Sequence, residues 1–307
     1  MDRKLLALTF LPGLIWGASF LFIAEGLTIL PPMGVTFARI ALGFVALGLF
    51  PAARKPLRRE DWPQVALLAL TWFAFPLSMF PYAEQHVSSA LAGLLNGGTP
   101  LFVVMVASLW TRGLPSRPVL TATLVGLVGL GLIAAPTLSQ GSNELLCTLA
   151  ILAAVASYGV AANLAGPLQR RNGALPVIWR ALGLALVMTA PFGAPAMAQL
   201  QLRAAPVASM LALGILGTAL ASVVMTHVAG KVSAAAASAP IFLIPIVSVI
   251  LGVLVRGESV SDAAALGGAI CVLAAWLLAR AKARPEMNAA SVIRGAAIRP
   301  PRVSISS

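Results

Sequence analysis

Two arginines stand inside apolar stretches of this sequence, where an ionised side chain is costly and is therefore a candidate for function. Arg39 interrupts an apolar run near 33–51, and Arg180 interrupts another near 175–195. Each guanidinium group could attract a substrate carboxylate, or it could snorkel to an interface and tie backbone carbonyls together. Because neither position falls at the middle of its run, we predict a structural role for both.

The acidic and histidine side chains offer a second kind of chemistry, the transfer of protons. None of the nine carboxylates lies near the middle of an apolar run, which argues against an exporter of organic cations, since such a protein needs an anionic group in the membrane. Glu84 and His86 follow one run and are candidates for a proton relay, with a plain interfacial position as the alternative.

Cys147 and Cys271 show no metal-ligand spacing and are interpreted as small packing residues, so we predict no metal and no cofactor.

Aromatic side chains and helix breaks are the third group of candidates. An aromatic cavity with few charges suits a neutral or zwitterionic substrate with an apolar side chain, although Trp and Tyr also form belts at membrane interfaces. Broken helices in a membrane usually line such a cavity, and the Asn-Gly-Gly-Thr-Pro stretch at 96–100 predicts such a break. We predict that the substrate contacts are Trp16, Phe20, Trp72, Tyr82, Asn96, Thr99, Tyr158 and Trp179.

The composition of the chain indicates that these residues belong to a membrane protein. The 307-residue chain is 59% hydrophobic and 10% charged, with a mean hydropathy of +0.94, whereas a soluble domain is about 25% charged. A net charge of +12 could indicate nucleic-acid binding. The basic residues instead flank apolar runs, as in cytoplasmic loops that face anionic lipid. The predicted partners are therefore the lipid bilayer and a small-molecule substrate, and nucleic acid is excluded.

Ten apolar runs are long enough to cross a bilayer, which takes roughly 20 residues each. They lie near 5–26, 33–51, 63–82, 89–110, 118–136, 145–165, 175–195, 206–228, 234–255 and 262–280. Most basic residues fall on one side of the membrane if the N-terminus is cytoplasmic, so we predict that both termini are cytoplasmic. Glycines at 126, 129, 131, 267 and 268 predict close packing of the fifth and tenth spans.

The two halves of the chain resemble each other. Val-Ser-Ser-Ala at 87–90 is matched by Val-Ser-Ala-Ala at 232–235, and at the same spacing Pro100 is matched by Pro245. We predict two five-helix repeats, 1–140 and 141–282, followed by a disordered basic cytoplasmic tail, 283–307. An odd number of crossings reverses the second copy, so the repeats are inverted.

These features together resemble the drug/metabolite transporter superfamily in its ten-helix branch of two EamA-type repeats. The resemblance rests on Trp-Gly at 16–17, the repeated arginines and prolines, and Gly-Glu at 257–258. Within the superfamily, the aromatic residues are most similar to those of bacterial exporters of aromatic amino acids. The first repeat departs from the pattern, because it carries Thr-Arg-Gly at 111–113 where the family shows Gly-Glu.

The resemblance implies an all-α integral protein of the bacterial inner membrane that exports small neutral metabolites, above all aromatic or hydrophobic amino acids, by alternating access. A monomeric state is compatible with it. The alternatives are an organic-anion or sugar-phosphate exchanger, with the two arginines as anion sites, and an efflux pump for small drugs. An intramembrane enzyme would need a nucleophile beside a base, and the nearest candidates, His86 with Ser88 or Ser89, have neither the spacing nor the depth. We therefore predict that the protein is not an enzyme.

Overall fold

The computed structural model describes residues 3–139, 141–229 and 234–297, and these residues form helices and connecting turns with no β-strand among them. Counted through their local 3-10 and π-helical turns, the helices are α1 Arg3–Gly26, α2 Pro32–Gly48, α3 Arg59–Ala83, α4 Ser89–Thr111, α5 Arg117–Leu138, α6 Ser142–Asn172, α7 Ala174–Gln199, α8 Ala204–Ala229, α9 Ala234–Arg256 and α10 Asp262–Ala297. Among the described residues, eight helices are long and apolar enough to cross a membrane, and two shorter apolar helices, Pro32–Gly48 and Pro240–Arg256, accompany them.

Three of these helices are locally irregular. A π-helical turn interrupts α3 at Ala69–Ala74 and α8 at Ala212–Leu220. Helix α4 is broken at Gly97 and Gly98, within the segment where the sequence predicts a break. Since a π-helical turn shifts the backbone hydrogen-bond register, it leaves carbonyl groups available to other partners, and such turns are frequent at functional sites.

The contacts between helices are equivalent in the two halves. If each helix is replaced by its counterpart five positions away in helix order, the contacts described here stay the same. Helix α1 packs on α9 and α8, just as α6 packs on α4 and α3, and α2 packs on α8 as α7 packs on α3. In three further pairs, α2 with α7, α4 with α9 and α5 with α10, each helix contacts its own counterpart in the other half. Each half therefore completes its packing against the other half.

Close approaches between helices repeat in the two halves as well. A Cβ added at Gly17 of α1 would lie 2.6 Å from the Val247 side chain of α9, and one at Gly159 of α6 would lie 2.7 Å from the Phe102 carbonyl oxygen of α4. The two contacted positions are 145 residues apart, which is the spacing of the repeat. Helices α1 and α6 thus use glycine in the same way.

Helices α5 and α10 pack closely, as the glycines predict, and this contact gives a test with a matched control. A Cβ at Gly129 would lie 2.8 Å from the Gly267 carbonyl oxygen. Gly131, also on α5, departs from the prediction, because a Cβ there would meet nothing within 4 Å among the described residues. We expect Gly129→Ala to destabilise the protein by about 1–3 kcal/mol through overpacking. Gly131→Ala should be neutral or slightly stabilising, because alanine favours helix. Thermal unfolding midpoints in detergent measure both, and equal midpoints would contradict the packing.

The C-terminal helix differs from the prediction. Helix α10 continues to Ala297, so residues 283–297 are helical where the sequence predicts a disordered tail. This stretch is rich in alanine, which has the highest helix propensity and lets the helix continue past the apolar span. Residues 298–307, the rest of the predicted tail, lie outside the described part of the chain.

Candidate functional site

An aromatic row crosses the interior between three helices. Phe20 of α1 meets Phe80 of α3 edge-on at a centroid distance of 5.5 Å, and Phe80 stacks on Tyr158 of α6 at 6.2 Å. The Phe20 and Phe80 side chains are buried, and Tyr158 is partly buried beside them. Edge-on and offset contacts of this kind are the favoured aromatic geometries. We call Phe20, Phe80 and Tyr158 the aromatic row.

Helix α8 anchors two polar side chains beside this row through its π-helical turn. The Trp16 Nε1–H donates to the Gly217 carbonyl oxygen over 2.9 Å. The next residue, Thr218, donates its hydroxyl to the Leu213 carbonyl oxygen five positions earlier and accepts a hydrogen bond from Arg39 Nε at 3.2 Å. The irregular turn thus holds Trp16 and Arg39 at adjacent positions.

Arg39 lies inside the protein, near the middle of α2. Arg39 is only 8% exposed. Tyr158 and Glu84 lie within electrostatic range of its guanidinium. The described hydrogen bond of Arg39 goes to the buried Thr218 hydroxyl and not to a backbone carbonyl, and the structural role that the sequence predicts for Arg39 stays a prediction. A guanidinium beside an aromatic row can bind the carboxylate of a ligand whose apolar part packs on the rings.

Arg180, the counterpart of Arg39 in the second half, behaves as predicted. Its Nη1 and Nη2 atoms donate to the carbonyl oxygens of Ala53 and Arg54 at 2.9 and 3.2 Å. Its guanidinium also lies 4.7 Å from the centre of the Trp179 ring. Arg180 therefore braces the turn that follows α2, so the two equivalent arginines have different tasks.

The remaining predicted aromatic contacts lie apart from the row. Trp179 donates from Nε1 to the Phe44 carbonyl oxygen and stacks on the Phe44 ring at 5.1 Å. Trp72, in the π-helical turn of α3, packs with Trp179 against a separate apolar cluster formed mainly by α2, α3, α6 and α7. Tyr82 is 41% exposed at the end of α3. Of the six predicted aromatic residues, the structure brings Trp16, Phe20 and Tyr158 together.

The predicted polar contacts of α4 lie at its break. The Thr99 hydroxyl donates to the Asn96 carbonyl oxygen at 2.7 Å. Next to them, a Cβ at Gly97 would lie 3.3 Å from the Pro245 side chain of α9. The break therefore borders the contact between α4 and α9.

The two residues of the predicted proton relay, Glu84 and His86, lie in different environments. His86 is exposed, whereas both carboxylate oxygens of Glu84 are buried and have no hydrogen-bond partner among the described residues. Burial raises the pKa of the Glu84 carboxyl well above its usual value, and the nearby Glu258 carboxylate raises it further, while Arg256 and Arg39 oppose the shift. This setting favours the protonated form of the Glu84 carboxyl.

Near Glu84, an ionic network joins the ends of three helices. Arg256 at the end of α9 pairs with Glu25 of α1 at 2.7 Å and with Glu258 at 3.4 Å. The Glu258 carboxylate also accepts hydrogen bonds from the Ser89 and Ala90 backbone N–H groups at 3.0 and 2.9 Å, at the N-terminus of α4. A carboxylate at a helix N-terminus is favoured by the exposed N–H groups and the helix dipole. We call Glu25, Arg256 and Glu258 the ionic network.

Comparison with known proteins agrees with this architecture. The EamA-like transporter family matches residues 3–135 and 145–280. A protein of Streptantibioticus cattleyicolor named "Probable terminal-alkyne amino-acid exporter" is 28% identical over 86% of this chain and 90% of its own length. The "Uncharacterized transporter YdfC" of Bacillus subtilis is 25% identical over 84% of this chain and 85% of its own length.

A solved crystal structure has the same fold, with a TM-score of 0.59 and 19% identity over 91% of this chain and 98% of that one. At this identity the likeness concerns the fold alone. The family match covers most of the chain in two consecutive segments, and the described helices supply the apolar spans that a membrane carrier needs. The chain belongs to the EamA-like transporter family, within the drug/metabolite transporter superfamily, and is a multi-pass membrane transporter rather than an enzyme.

Proposed function

We propose that this transporter exports small neutral amino acids with aromatic or hydrophobic side chains. The observation that carries the proposal is a buried Arg39 within electrostatic range of Tyr158, a member of the aromatic row. A guanidinium can bind a carboxylate through two parallel hydrogen bonds, and aromatic rings can hold an apolar side chain. The relative from Streptantibioticus cattleyicolor, named as a probable amino-acid exporter, supports the same substrate class.

We further propose that the carrier works by alternating access between two inverted repeats, 1–140 and 141–282, in the bacterial plasma membrane with both termini cytoplasmic. The equivalent helix contacts in the two halves of the chain support this arrangement. A repeat of five spans has to be inverted, and many secondary transporters bind substrate at the interface of such repeats. The aromatic row draws on α1 and α3 of the first repeat and on α6 of the second.

Trp16, Phe20 and Tyr158 are retained as proposed substrate contacts, supported by the electrostatic proximity of Tyr158 to Arg39 and by the hydrogen bonds of Trp16 and Arg39 to adjacent residues of α8. The other predicted contacts, Trp72, Tyr82, Asn96, Thr99 and Trp179, remain predictions. Phe80 and Thr218 join the proposed site, Phe80 through its ring contact with Phe20 and Thr218 as the hydrogen-bond partner of Arg39.

The organic-anion alternative required both arginines as anion sites. The described contacts commit Arg180 to backbone carbonyls, and the Glu84 carboxyl lies within electrostatic range of Arg39. A site with one guanidinium and a nearby carboxyl suits a zwitterion better than a phosphate ester, which carries up to two negative charges. These observations favour amino acids over sugar phosphates.

Counterflow into proteoliposomes tests the proposal. Vesicles that contain the purified protein and are loaded with unlabelled phenylalanine should accumulate labelled phenylalanine, and vesicles without the protein should not. Neutral amino acids in excess should abolish the accumulation, whereas a sugar phosphate or methyl viologen should leave it unchanged. Competition by the sugar phosphate or by methyl viologen alone would contradict the amino-acid assignment.

A further inference from the structure

Glu84 is a buried acid that the proposed transport of an amino acid leaves unexplained. Both of its carboxylate oxygens lack a hydrogen-bond partner among the described residues. Native proteins rarely leave a buried polar side chain unpaired, and an unpaired one calls for a physical explanation. A ligand that supplies hydrogen-bond donors at this position would provide one.

The charges that surround Glu84 are already engaged in different ways. Arg256 pairs with two other carboxylates, those of Glu25 and Glu258. Arg39 has a hydroxyl as its described hydrogen-bond partner, and the ion pairs in the described part of the chain do not include one between Arg39 and Glu84. The interior thus holds a cation and an acid within electrostatic range that do not pair with each other.

We propose that Glu84 binds the ammonium group of the substrate, so that Arg39 and Glu84 together recognise the two charged ends of an α-amino acid. This inference rests on the proposed function and adds the group that distinguishes an amino acid from other carboxylates. The substrate carboxylate binds Arg39, its ammonium group donates hydrogen bonds to Glu84, and its side chain packs on the aromatic row. A zwitterion satisfies both protein groups at once, whereas a simple carboxylate or a simple amine satisfies one.

Binding of the ammonium group at Glu84 is coupled to release of a proton from this carboxyl. Burial and Glu258 raise the pKa of the Glu84 carboxyl against the opposing influence of Arg256 and Arg39, which favours its protonated form when no substrate is bound. An ammonium group beside it favours the ionised form, so the carboxyl releases its proton as the amino acid binds. Of the other ionisable groups nearby, Glu25 is paired with Arg256, and His86 on the same loop is exposed. A carboxylate without an ammonium group leaves the proton in place.

The first test compares phenylalanine with 3-phenylpropionate, which lacks only the ammonium group, by titration calorimetry on the purified protein. Wild type should bind phenylalanine at least tenfold more tightly, since a charged hydrogen bond in a buried site gives roughly this discrimination. Glu84→Gln should reduce the preference to about twofold or less by weakening phenylalanine binding alone. The control Glu60→Gln alters an acid whose side chain is 70% exposed, and it should keep the wild-type preference.

A second measurement uses wild type alone and stands if Glu84→Gln does not fold. Titrations in two buffers of different ionisation enthalpy count the protons released on binding. Phenylalanine should release protons on binding, because its ammonium group favours the ionised form of Glu84, and 3-phenylpropionate should release none. Equal proton counts for the two compounds, or a Glu84→Gln variant that keeps the preference, would overturn the role of Glu84 while leaving the amino-acid exporter intact. A wild-type protein that binds neither compound would contradict the proposed function as well.

Discussion

Arg39→Lys is expected to raise the apparent KM for phenylalanine by at least tenfold while the amount of protein in the membrane stays unchanged. Lysine keeps the positive charge but loses the planar pair of donors that matches a carboxylate. A loss of about 1.4 kcal/mol corresponds to this tenfold change. The measurement is counterflow kinetics in proteoliposomes at equal protein content.

Arg180→Lys is the matched control, because Arg180 occupies the equivalent place in the second half but donates to the Ala53 and Arg54 carbonyl oxygens. A lysine ammonium can still donate to one of these carbonyls, so the apparent KM should stay within about twofold of wild type, which is under roughly 0.5 kcal/mol. Equal increases in KM for Arg39→Lys and Arg180→Lys would show that the two arginines share one role. An unchanged KM for Arg39→Lys would return Arg39 to the structural role predicted from the sequence.

Glu258→Ala is expected to lower stability by about 2–3 kcal/mol, because it removes a hydrogen-bonded charge that is mostly buried. Its side chain is 13% exposed, accepts hydrogen bonds at the N-terminus of α4 and pairs with Arg256. The loss leaves the first N–H groups of α4 without this acceptor and Arg256 with Glu25 as its remaining described partner. Thermal unfolding followed by far-UV circular dichroism measures the effect.

Glu60→Ala provides the reference for an acid at the surface. Glu60 and its partner Arg58 are 70% and 61% exposed at a separation of 3.7 Å, and such pairs contribute about 0–1 kcal/mol. An unfolding midpoint for Glu258→Ala as high as that of Glu60→Ala would mean that the ionic network does not hold α1, α4 and α9 together.

The fold was largely predictable because the bilayer imposes one strong rule on sequence. Every span has to be apolar for about 20 residues, so the helices are visible as runs, and the spacing of 145 residues between matching motifs predicts a repeat, with which the two matched family segments are compatible. The C-terminal end was not predictable in this way, since past the apolar span helix formation depends on local propensity, and α10 extends to Ala297.

The candidate site was predictable only in part. Trp16 and Phe20 share a face of α1, and Tyr158 occupies the position of Trp16 in the second repeat, so the repeat brought them into one prediction. Phe80 was missed because a single Phe among 12 in an apolar sequence carries no distinguishing signal. Its role depends on which helices face each other, which is a property of tertiary packing.

The two arginines show why sequence symmetry does not assign function. Arg39 and Arg180 match in the repeat, yet one meets the Thr218 hydroxyl and the other meets the carbonyls of the turn after α2. These partners lie in segments that differ between the two halves. Likewise, Glu84 and His86 are two residues apart, but the turn after α3 buries the first and exposes the second.

Substrate protection of a single cysteine tests most directly whether the substrate binds at the aromatic row. Phe20→Cys is placed in a background where Cys147 and Cys271, both buried, are replaced by alanine, and its modification by a thiol reagent is timed during turnover. Saturating phenylalanine should slow modification at position 20 severalfold, and it should leave unchanged a control cysteine at Trp110, a residue that is 53% exposed. Equal modification rates at position 20 with and without phenylalanine, in a variant that still binds phenylalanine, would contradict a substrate site between α1, α3 and α6.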